Sequence, residues 1–290
     1  MHKDSFHAKD GTRLAIHRTG QGPLEVVLAN GLGGPFFGWR PILDRFASEC
    51  SFYSWDYRGL YGSDAPHDRD TLSVECAVED QIALMEHFGL EKVVVGGWSM
   101  GVQVALEFYR RYPERVAGMF LLNGTYGKIF NTAFRTPFSQ YLLPPALLAL
   151  RRIAPFAGFA IRRFANWSGT IPLAAKLRLV DPRIDREVFR QVAKEFGRLD
   201  LDLYFDSLNR LSLHDAEDVL PTVEVPVLII AAEHDMMTPA DVTEKMVREM
   251  RRAELFIVPG GSHYCLLEYP DIVSDRLRRF LVEHFSADSK

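Results

Sequence analysis

Short runs of consecutive apolar residues alternate along this chain with longer segments in which apolar side chains recur every three or four positions. The short runs predict buried strands, and the longer segments predict helices with one buried face. The predicted strands cover residues 25–29, 51–55, 92–96, 116–122, 225–231 and 254–258. The predicted helices cover residues 37–48, 71–88, 102–109, 239–251 and 270–285. Strands that alternate with helices in this way predict an α/β fold, with a mostly parallel central sheet and helices on both faces.

The alternation stops between about residue 124 and residue 213. This segment has no convincing strand pattern, and prolines separate its helix-like apolar stretches. We therefore expect a helical insertion over residues 125–213, while residues 1–124 and 214–290 form one core domain. The composition agrees with such a core, because 290 residues with 47% apolar and 25% charged side chains are typical of a globular protein.

Charge and cysteine content argue against several classes of protein. The formal net charge of −4 argues against a general nucleic-acid-binding protein. The three cysteines, Cys50, Cys76 and Cys265, have no metal-like spacing, so we expect small buried residues in a reducing compartment. The first residues lack the apolar core of a signal peptide, and no uncharged apolar run approaches the roughly 20 residues that cross a bilayer. We therefore expect a cytoplasmic protein, and the lack of metal-ligand, phosphate-binding and dinucleotide-binding motifs predicts no cofactor.

The stretch with the clearest chemistry is Gly97-Trp98-Ser99-Met100-Gly101, which connects a predicted strand to a predicted helix. Gly-x-Ser-x-Gly in this position is the pattern of a nucleophile elbow. Its small residues allow strand and helix to pack closely around a tight turn that raises the serine hydroxyl above the sheet. The amide of Met100 then points to where a substrate carbonyl oxygen would gain negative charge. The alternative is a glycine-rich turn without chemistry, since short motifs give false positives.

Two further side chains follow predicted strands and complete a catalytic set with Ser99. Asp235 comes after the strand predicted over 225–231, and His263 comes after the strand predicted over 254–258. Because ligands bind beyond the carboxyl ends of parallel strands, we expect these three side chains to meet there. A serine hydroxyl needs a base to take its proton during attack, and an imidazole held by a carboxylate supplies that base.

Other histidines and aspartates fit these roles less well. His67 lies in a polar loop, His214 at the end of the insertion, and His234 beside Asp235. We expect loop or capping roles for all three. The alternatives for the acid are Asp206 and Asp215, which lie in or beside the insertion and follow no predicted strand.

With the surrounding motifs, these residues make the chain resemble the α/β-hydrolase fold family with a helical cap. The resemblance covers nearly the whole chain outside the cap. The matching motifs are Asn-Gly-Leu-Gly-Gly at 30–34, Asp-Tyr-Arg-Gly-Leu-Tyr-Gly-Ser at 56–63, Gly-Trp-Ser-Met-Gly at 97–101, Tyr-Pro-Glu-Arg-Val at 112–116, Glu-His-Asp at 233–235 and Gly-Ser-His at 261–263. The order nucleophile, acid, base is the one expected of this family.

The resemblance also implies an oxyanion hole and a type of reaction. It assigns the two donors to the backbone amides of Leu32 and Met100, with Asn30 and Gly31 supporting the loop. Many family members have His-Gly at this point, and Asn also donates and accepts hydrogen bonds, so the departure concerns the pose of the loop rather than catalysis. A serine nucleophile argues against the family branches that attack through an aspartate. The resemblance therefore implies a serine hydrolase that cleaves carboxylic esters through an acyl-serine intermediate.

The same three side chains support other reactions, so several alternatives stay open. Within the enzyme class these are lactone hydrolysis, cleavage of a carbon–carbon bond in a dienoic ketone, and cofactor-free perhydrolysis. From another class, the alternative is a ligand receptor that keeps the pocket and turns over slowly.

The insertion favours a lipophilic acyl substrate. Between residues 126 and 180 there are eight basic residues, no Asp or Glu, and many aromatic and aliphatic residues. The basic residues are Lys128, Arg135, Arg151, Arg152, Arg162, Arg163, Lys176 and Arg178. This composition is typical of a segment in an anionic membrane interface, and also of an ordinary cap whose arginines extend into water, which it slightly favours. Both interpretations favour an acylglycerol, a lysophospholipid or a similar ester, and a third is that the arginines hold an anionic substrate headgroup.

Overall fold

One mixed sheet forms the centre of the protein. The computed structural model describes residues 4–132, 169–177 and 179–285, together with Tyr141, Pro145, Phe159, Ala160, Arg163, Phe164 and Trp167. Within these residues the strands are β1 Asp4–His7, β2 Arg13–Gly20, β3 Leu24–Ala29, β4 Cys50–Trp55, β5 Val93–Trp98, β6 Val116–Leu122, β7 Val227–Ala232 and β8 Ala253–Val258. Their order across the sheet is β1-β2-β4-β3-β5-β6-β7-β8. The first two pairings are antiparallel and all the others are parallel, which confirms the predicted α/β class.

Helices cover the sheet on both faces. In the part of the chain that the structure describes, they are α1 Arg40–Arg45, α2 Val74–Phe88, α3 Met100–Arg111, α4 Ile129–Thr132, α5 Thr170–Lys176, α6 Arg186–Phe196, α7 Leu201–Leu213, α8 Ala240–Glu249, α9 Cys265–Glu268 and α10 Pro270–Phe285. α2 begins three residues after its predicted start because Ser73 caps it, accepting a hydrogen bond from the amide of Cys76. β7 begins two residues after its predicted start, since Pro226 has no N–H to donate to a neighbouring strand.

Alternation along the central strands produces the two-sided core. Val26 and Leu28 of β3 pack on one face of the sheet with Phe46, which follows α1, and with Phe280 of α10. Val27, between them, packs on the opposite face with the side chains of α2 and α3. Successive side chains of a strand point to opposite faces, so a strand buried on both sides must be apolar throughout. This is why the central strands read as continuous apolar runs.

The described residues between β6 and β7 form helices and turns, with one isolated β bridge between Gly127 and Asp215. Asp185 and Asp200 cap α6 and α7 by accepting hydrogen bonds from amides of the first helical turn. Apolar residues of α5 and α6 pack against Leu267 of the core. The bounds predicted for the cap, residues 125–213, stay a prediction.

Two cysteines, Cys50 and Cys265, are buried as expected, whereas Cys76 is only half-buried. Among the helices of the described residues, none combines the length and the hydrophobicity that crossing a membrane requires.

The turn between β5 and α3 leaves no room for side chains at its glycines. A Cβ atom on Gly101 would lie 2.0 Å from the carbonyl oxygen of Ala29, at the end of β3. A Cβ atom on Gly97 would lie 2.5 Å from the carbonyl oxygen of Gly101. Strand and helix therefore approach each other at backbone distance on both sides of Ser99.

This close approach predicts the effect of adding one methyl group. Gly101→Ala should lower the free energy of unfolding by about 3 kcal/mol or more, because the clash is with backbone that cannot move aside. Gly89→Ala is the matched control: Gly89 has a φ of +67° and open space around its Cβ position. Its cost should be limited to the left-handed backbone, about 1–2 kcal/mol. Urea unfolding of both variants checks this, and a larger loss for Gly89→Ala would contradict it.

Candidate active site

Ser99 lies at the tight turn between β5 and α3 in a strained backbone conformation. Its φ is +55° and its ψ is −115°, a combination that L residues rarely adopt. The turn is held by the Ser99 amide, which donates to the carbonyl of Leu122 at 2.9 Å. Gly97 and Gly101 provide the space that the turn needs, as the sequence motif predicted. The serine side chain is half-buried, so it stands at the edge of the core rather than inside it.

The loop after β3 runs directly beside the serine. A Cβ atom on Gly31 would lie 3.3 Å from Cβ of Ser99, and the amide of Gly34 closes a turn by donating to the carbonyl of Gly31 at 2.8 Å. Leu32 and Met100 line the same small cavity. The two residues assigned as oxyanion-hole donors therefore lie close to each other, one of them directly after Ser99 in the chain.

Asn30 fixes the start of this loop. Its Nδ2 donates to Oγ of Ser54 at 3.2 Å and to the carbonyl of Trp55 at 3.0 Å, and its Oδ1 accepts from Nε1 of Trp39 at 2.9 Å. The hydroxyl of Tyr57 donates to the Asn30 carbonyl at 2.7 Å. The side chain is thus a buried anchor with its amide groups satisfied. Its support of an oxyanion hole stays a prediction.

Asp235 and His263 are brought together at the ends of β7 and β8. Nδ1 of His263 lies 2.8 Å from Oδ2 of Asp235. The same carboxylate accepts from the amides of Met237 at 2.8 Å and Thr238 at 3.0 Å, from the Thr238 hydroxyl at 2.5 Å, and from Nδ2 of Asn123 at 2.8 Å. Burial raises the pKa of Asp235, but the charge of His263 and these hydrogen bonds outweigh it and lower the pKa to about 2. Asp235 is therefore ionised at neutral pH.

The histidine loop contacts the residue that precedes the serine. Nε1 of Trp98 donates to the carbonyl of His263 at 3.3 Å, and the ring of Tyr264 packs edge-on against the rings of both. Since Nδ1 of His263 faces Asp235, its Nε2 is the nitrogen left to act on a hydroxyl. The arrangement combines a hydroxyl on a strained turn, an imidazole held by a carboxylate, and nearby backbone amides.

The alternative acids and His214 have partners elsewhere in the structure. Asp206 pairs with Arg69, and Asp215 pairs with Lys128 at 2.6 Å. The buried His214 lies 2.8 Å from Oε1 of Gln103 and 3.2 Å from Oε2 of Glu107, at the end of α7. His67 and His234 are exposed.

Sequence reasoning missed two buried polar residues of this region. Asn123 contacts Asp235, and its only signal in the sequence is that it follows a predicted strand. Glu268 accepts hydrogen bonds from the amide and hydroxyl of Ser262 and from the amide of Asp181. Burial raises the pKa of Glu268, although these bonds act against the rise.

Aromatic side chains surround the serine and histidine loops. Phe196 and Tyr204 of the insertion pack against Gly33, at distances of 2.8 Å and 3.0 Å from where its Cβ would be. Phe189 packs edge-on against Tyr264 at a ring separation of 5.4 Å. In the described part of the chain no three His, Cys, Asp or Glu residues cluster in a way that suits a metal ion.

The chain is similar to known proteins in sequence and in fold. A family model described as "Alpha/beta hydrolase family" matches residues 26–276. Epoxide hydrolase 3 of Xenopus tropicalis is 26% identical over 276 residues, which are 90% of this chain and 72% of that protein. A protein of Caulobacter sp. (strain K31), provisionally named a carbamate hydrolase, is 24% identical over 88% of this chain and 90% of its own length. An esterase of Exiguobacterium antarcticum has a similar fold, with a TM-score of 0.80, 18% identity and coverage of 97% and 99% of the two chains.

The depressed pKa of Asp235 predicts a loss of stability in acid. Its folded pKa of about 2 lies below the value of about 3.9 expected in the unfolded chain, so its ionised form stabilises the fold above pH 4. This stabilisation is lost as the pH falls from about 4 towards 2. The loss amounts to about 1 kcal/mol by pH 3.

Urea unfolding at pH 5, 4 and 3 measures this term as the difference between the native chain and Asp235→Asn. That difference should shrink by about 1 kcal/mol across the range. Asp275→Asn, at an exposed position of α10, is the control variant. A difference that stays constant for Asp235→Asn would contradict the prediction.

Proposed function

The chain belongs to the alpha/beta hydrolase family, and from this premise we propose that it hydrolyses carboxylic esters of lipophilic acyl groups. In this proposal Ser99 is the nucleophile, His263 the base and Asp235 the acid that orients it. The observation that carries the proposal is the 2.8 Å pairing of His263 with Asp235, in a loop that contacts the strained serine turn through Trp98. The family membership agrees with the resemblance predicted from the sequence.

The first half of the reaction transfers the acyl group to the enzyme. Nε2 of His263 takes the proton from Oγ of Ser99 as Oγ bonds to the carbonyl carbon. The carbonyl oxygen becomes an oxyanion that accepts hydrogen bonds from the amides of Leu32 and Met100. Asp235 compensates the positive charge of the imidazolium. His263 then gives the proton to the leaving alcohol oxygen as the ester carbon–oxygen bond breaks, which leaves the acyl-serine.

The second half repeats these steps with water as the nucleophile. His263 takes a proton from water as the water oxygen bonds to the acyl carbon, and the same amides stabilise the second oxyanion. The proton then returns to Oγ of Ser99 as its bond to the acyl carbon breaks. The carboxylic acid leaves and the enzyme is restored.

A serine nucleophile favours acyl chemistry over epoxide opening. Attack of a serine oxygen on an epoxide carbon would form an ether, which water does not cleave under these conditions. A carboxylate nucleophile would instead form an ester that water can hydrolyse. Carbamates and lactones, like esters, have a carbonyl carbon that a serine can attack, so both are tested as alternative substrates.

The preference for lipophilic acyl groups is supported by the surroundings of the site. Phe189, Phe196 and Tyr204 come from the helices of the insertion and pack against the histidine loop or the loop after β3. Apolar and aromatic surfaces with few polar groups bind acyl chains by removing them from water.

The nucleophile is tested with Ser99→Ala. This variant should stay folded, lose turnover of p-nitrophenyl esters by about three to six orders of magnitude, and lose stoichiometric labelling by a fluorophosphonate. On the native enzyme, rates should rise with acyl length and exceed those on a lactone, an aryl carbamate, an aryl epoxide, a dienoic ketone and peracid formation. Near-native activity of folded Ser99→Ala would sink the proposal, and labelling with negligible turnover on every substrate would favour the receptor alternative.

The acid offers matched controls in the same assay. Asp235→Asn should lose about 10⁴-fold in kcat, because the imidazole loses its orientation and its charge compensation. Asp206→Asn and Asp215→Asn, which alter carboxylates paired with Arg69 and Lys128, should keep near-native turnover. A loss confined to one of these two would assign the acid elsewhere.

We also propose that the insertion contacts anionic membranes. Among its described residues Tyr141, Phe159, Trp167, Leu177 and Leu179 are each more than half exposed to solvent. Large apolar side chains in water beside basic residues favour an anionic lipid interface.

The charge of the segment supports the same partner. Residues 126–180 have eight basic side chains and no acidic one. Arg163 and Lys176 are exposed, and Lys128 pairs with Asp215. The others, Arg135, Arg151, Arg152, Arg162 and Arg178, lie outside the described residues.

Vesicle co-sedimentation tests this contact. Binding to vesicles that contain phosphatidylserine should exceed binding to phosphatidylcholine vesicles and weaken with salt, since exposed charges are screened within about 10 Å at 0.1 M. Replacing Arg151, Arg152, Arg162 and Arg163 by Gln should reduce it. The control is the same replacement at four exposed arginines of the core domain, Arg248, Arg251, Arg252 and Arg279. Equal binding to both kinds of vesicle, or none, would contradict the proposal.

A further inference from the structure

We propose that Asn123 is a positioning residue, which fixes the carboxylate of Asp235 in the orientation that His263 requires. The inference rests on the proposed function, because it concerns the acid and the base of that reaction. Asn123 comes directly after β6, which lies beside β7, and β7 lies beside β8; Asp235 and His263 follow β7 and β8. It is therefore the side chain at the end of the third adjacent strand.

The side chain of Asn123 connects the loops that follow all three strands. Its Nδ2 donates to Oδ2 of Asp235 at 2.8 Å and to the carbonyl of Ser262 at 3.3 Å. Its Oδ1 accepts from Sγ of Cys265 at 2.9 Å. The residue is only 1% exposed, and its backbone amide donates to the carbonyl of Ile230 at 2.9 Å. Both amide hydrogens and the amide oxygen are thus used within the protein.

These partners explain why an asparagine suits this position. A carboxylate and a carbonyl only accept, and a thiol donates, so the amide must turn its nitrogen to Asp235 and Ser262 and its oxygen to Cys265. The φ of Asn123 is +44°, in the left-handed region that asparagine tolerates better than most other residues with a side chain. The hydrogen-bond partners and the backbone conformation of Asn123 therefore both fit a single orientation of its side-chain amide.

Asn123 acts on the same oxygen of Asp235 that faces the imidazole. Oδ1 of Asp235 is held by the amides of Met237 and Thr238, from its own loop. Oδ2 receives His263, the Thr238 hydroxyl and Asn123. Of these, Asn123 is the neutral donor that comes from another strand end, so it resists rotation of the carboxylate away from the histidine loop.

The direction of this bond has a second consequence. The amide of Asn123 points the positive end of its dipole at Oδ2, and so competes with the imidazolium of His263 for that negative charge. Without the amide, the protonated form of His263 is stabilised. More alkaline solution is then needed to obtain the neutral imidazole that serves as the base.

The experiment measures kcat, KM and the pH dependence of kcat/KM for a p-nitrophenyl ester with Asn123→Ala. We expect kcat to fall about 10- to 100-fold with KM nearly unchanged, the loss typical of a positioned proton-transfer group that becomes misaligned. The acidic limb of the profile should move upward by about half a pH unit or more. Asn209→Ala, on the exposed side of α7, is the matched control and should change neither quantity.

A second variant keeps the test decisive if Asn123→Ala folds poorly. Cys265→Ala removes the thiol that holds Oδ1 of Asn123 and leaves the asparagine in place. It should move the acidic limb in the same direction by a smaller amount. A lower melting temperature with an unchanged kcat and pH profile in both variants would overturn the positioning role.

Ser99→Ala and Asp235→Asn are measured in parallel to separate the two proposals. If both are inactive while Asn123→Ala keeps the native kcat and profile, the proposed function stands and the role of Asn123 is refuted. If Ser99→Ala and Asp235→Asn stay active, the proposed function fails, and the positioning role fails with it.

Discussion

The site depends on backbone packed against backbone around Ser99. Glycines from the loop after β3, the first turn of α3 and the segment after β6 pack around this residue, and two of the three have no room for a side chain. A Cβ atom on Gly31 would lie 3.3 Å from Cβ of Ser99, one on Gly101 would lie 2.0 Å from the Ala29 carbonyl, and one on Gly124 would lie 2.7 Å from the Ser99 carbonyl. Because real Cβ contacts at the two shorter distances do not occur, the strained serine turn is compatible only with glycine at positions 101 and 124. Strain at Ser99 is thus maintained by the packing around the sheet itself.

The opposite side of the site is held by charge rather than by close packing. Asp235 is buried, and each of its hydrogen-bond partners is a donor, so the ionised carboxylate prevails despite desolvation. The donors come from its own loop, from His263 and from the end of β6. A carboxylate satisfied from three directions has little freedom to turn, so the imidazole of His263 beside it is held in one orientation.

Local patterns in the sequence could predict what depends on local structure. The β-branched runs predict the strands, and Gly-x-Ser-x-Gly between a strand and a helix predicts the turn at Ser99. Asn123 could not be found in this way, since its bond to Asp235 joins residues 112 positions apart. The choice of Asp235 over Asp206 and Asp215 is likewise supported only by the structure, in which those two carboxylates pair with Arg69 and Lys128. Sequence position shows which strand a residue follows, but not which donors surround it.

The insertion and the histidine loop are joined through one buried carboxylate. Glu268, at the end of the short helix α9, accepts from Ser262 beside His263 and from the amide of Asp181 in the insertion. Tyr269, next along the chain, donates to the Asp181 carboxylate at 3.2 Å. A displacement of this part of the insertion therefore acts on the residue beside His263 through two hydrogen bonds. Asp181 of the insertion and Ser262 beside His263 are thus parts of one hydrogen-bonded unit, so the position of the histidine loop depends on how the insertion packs at Asp181.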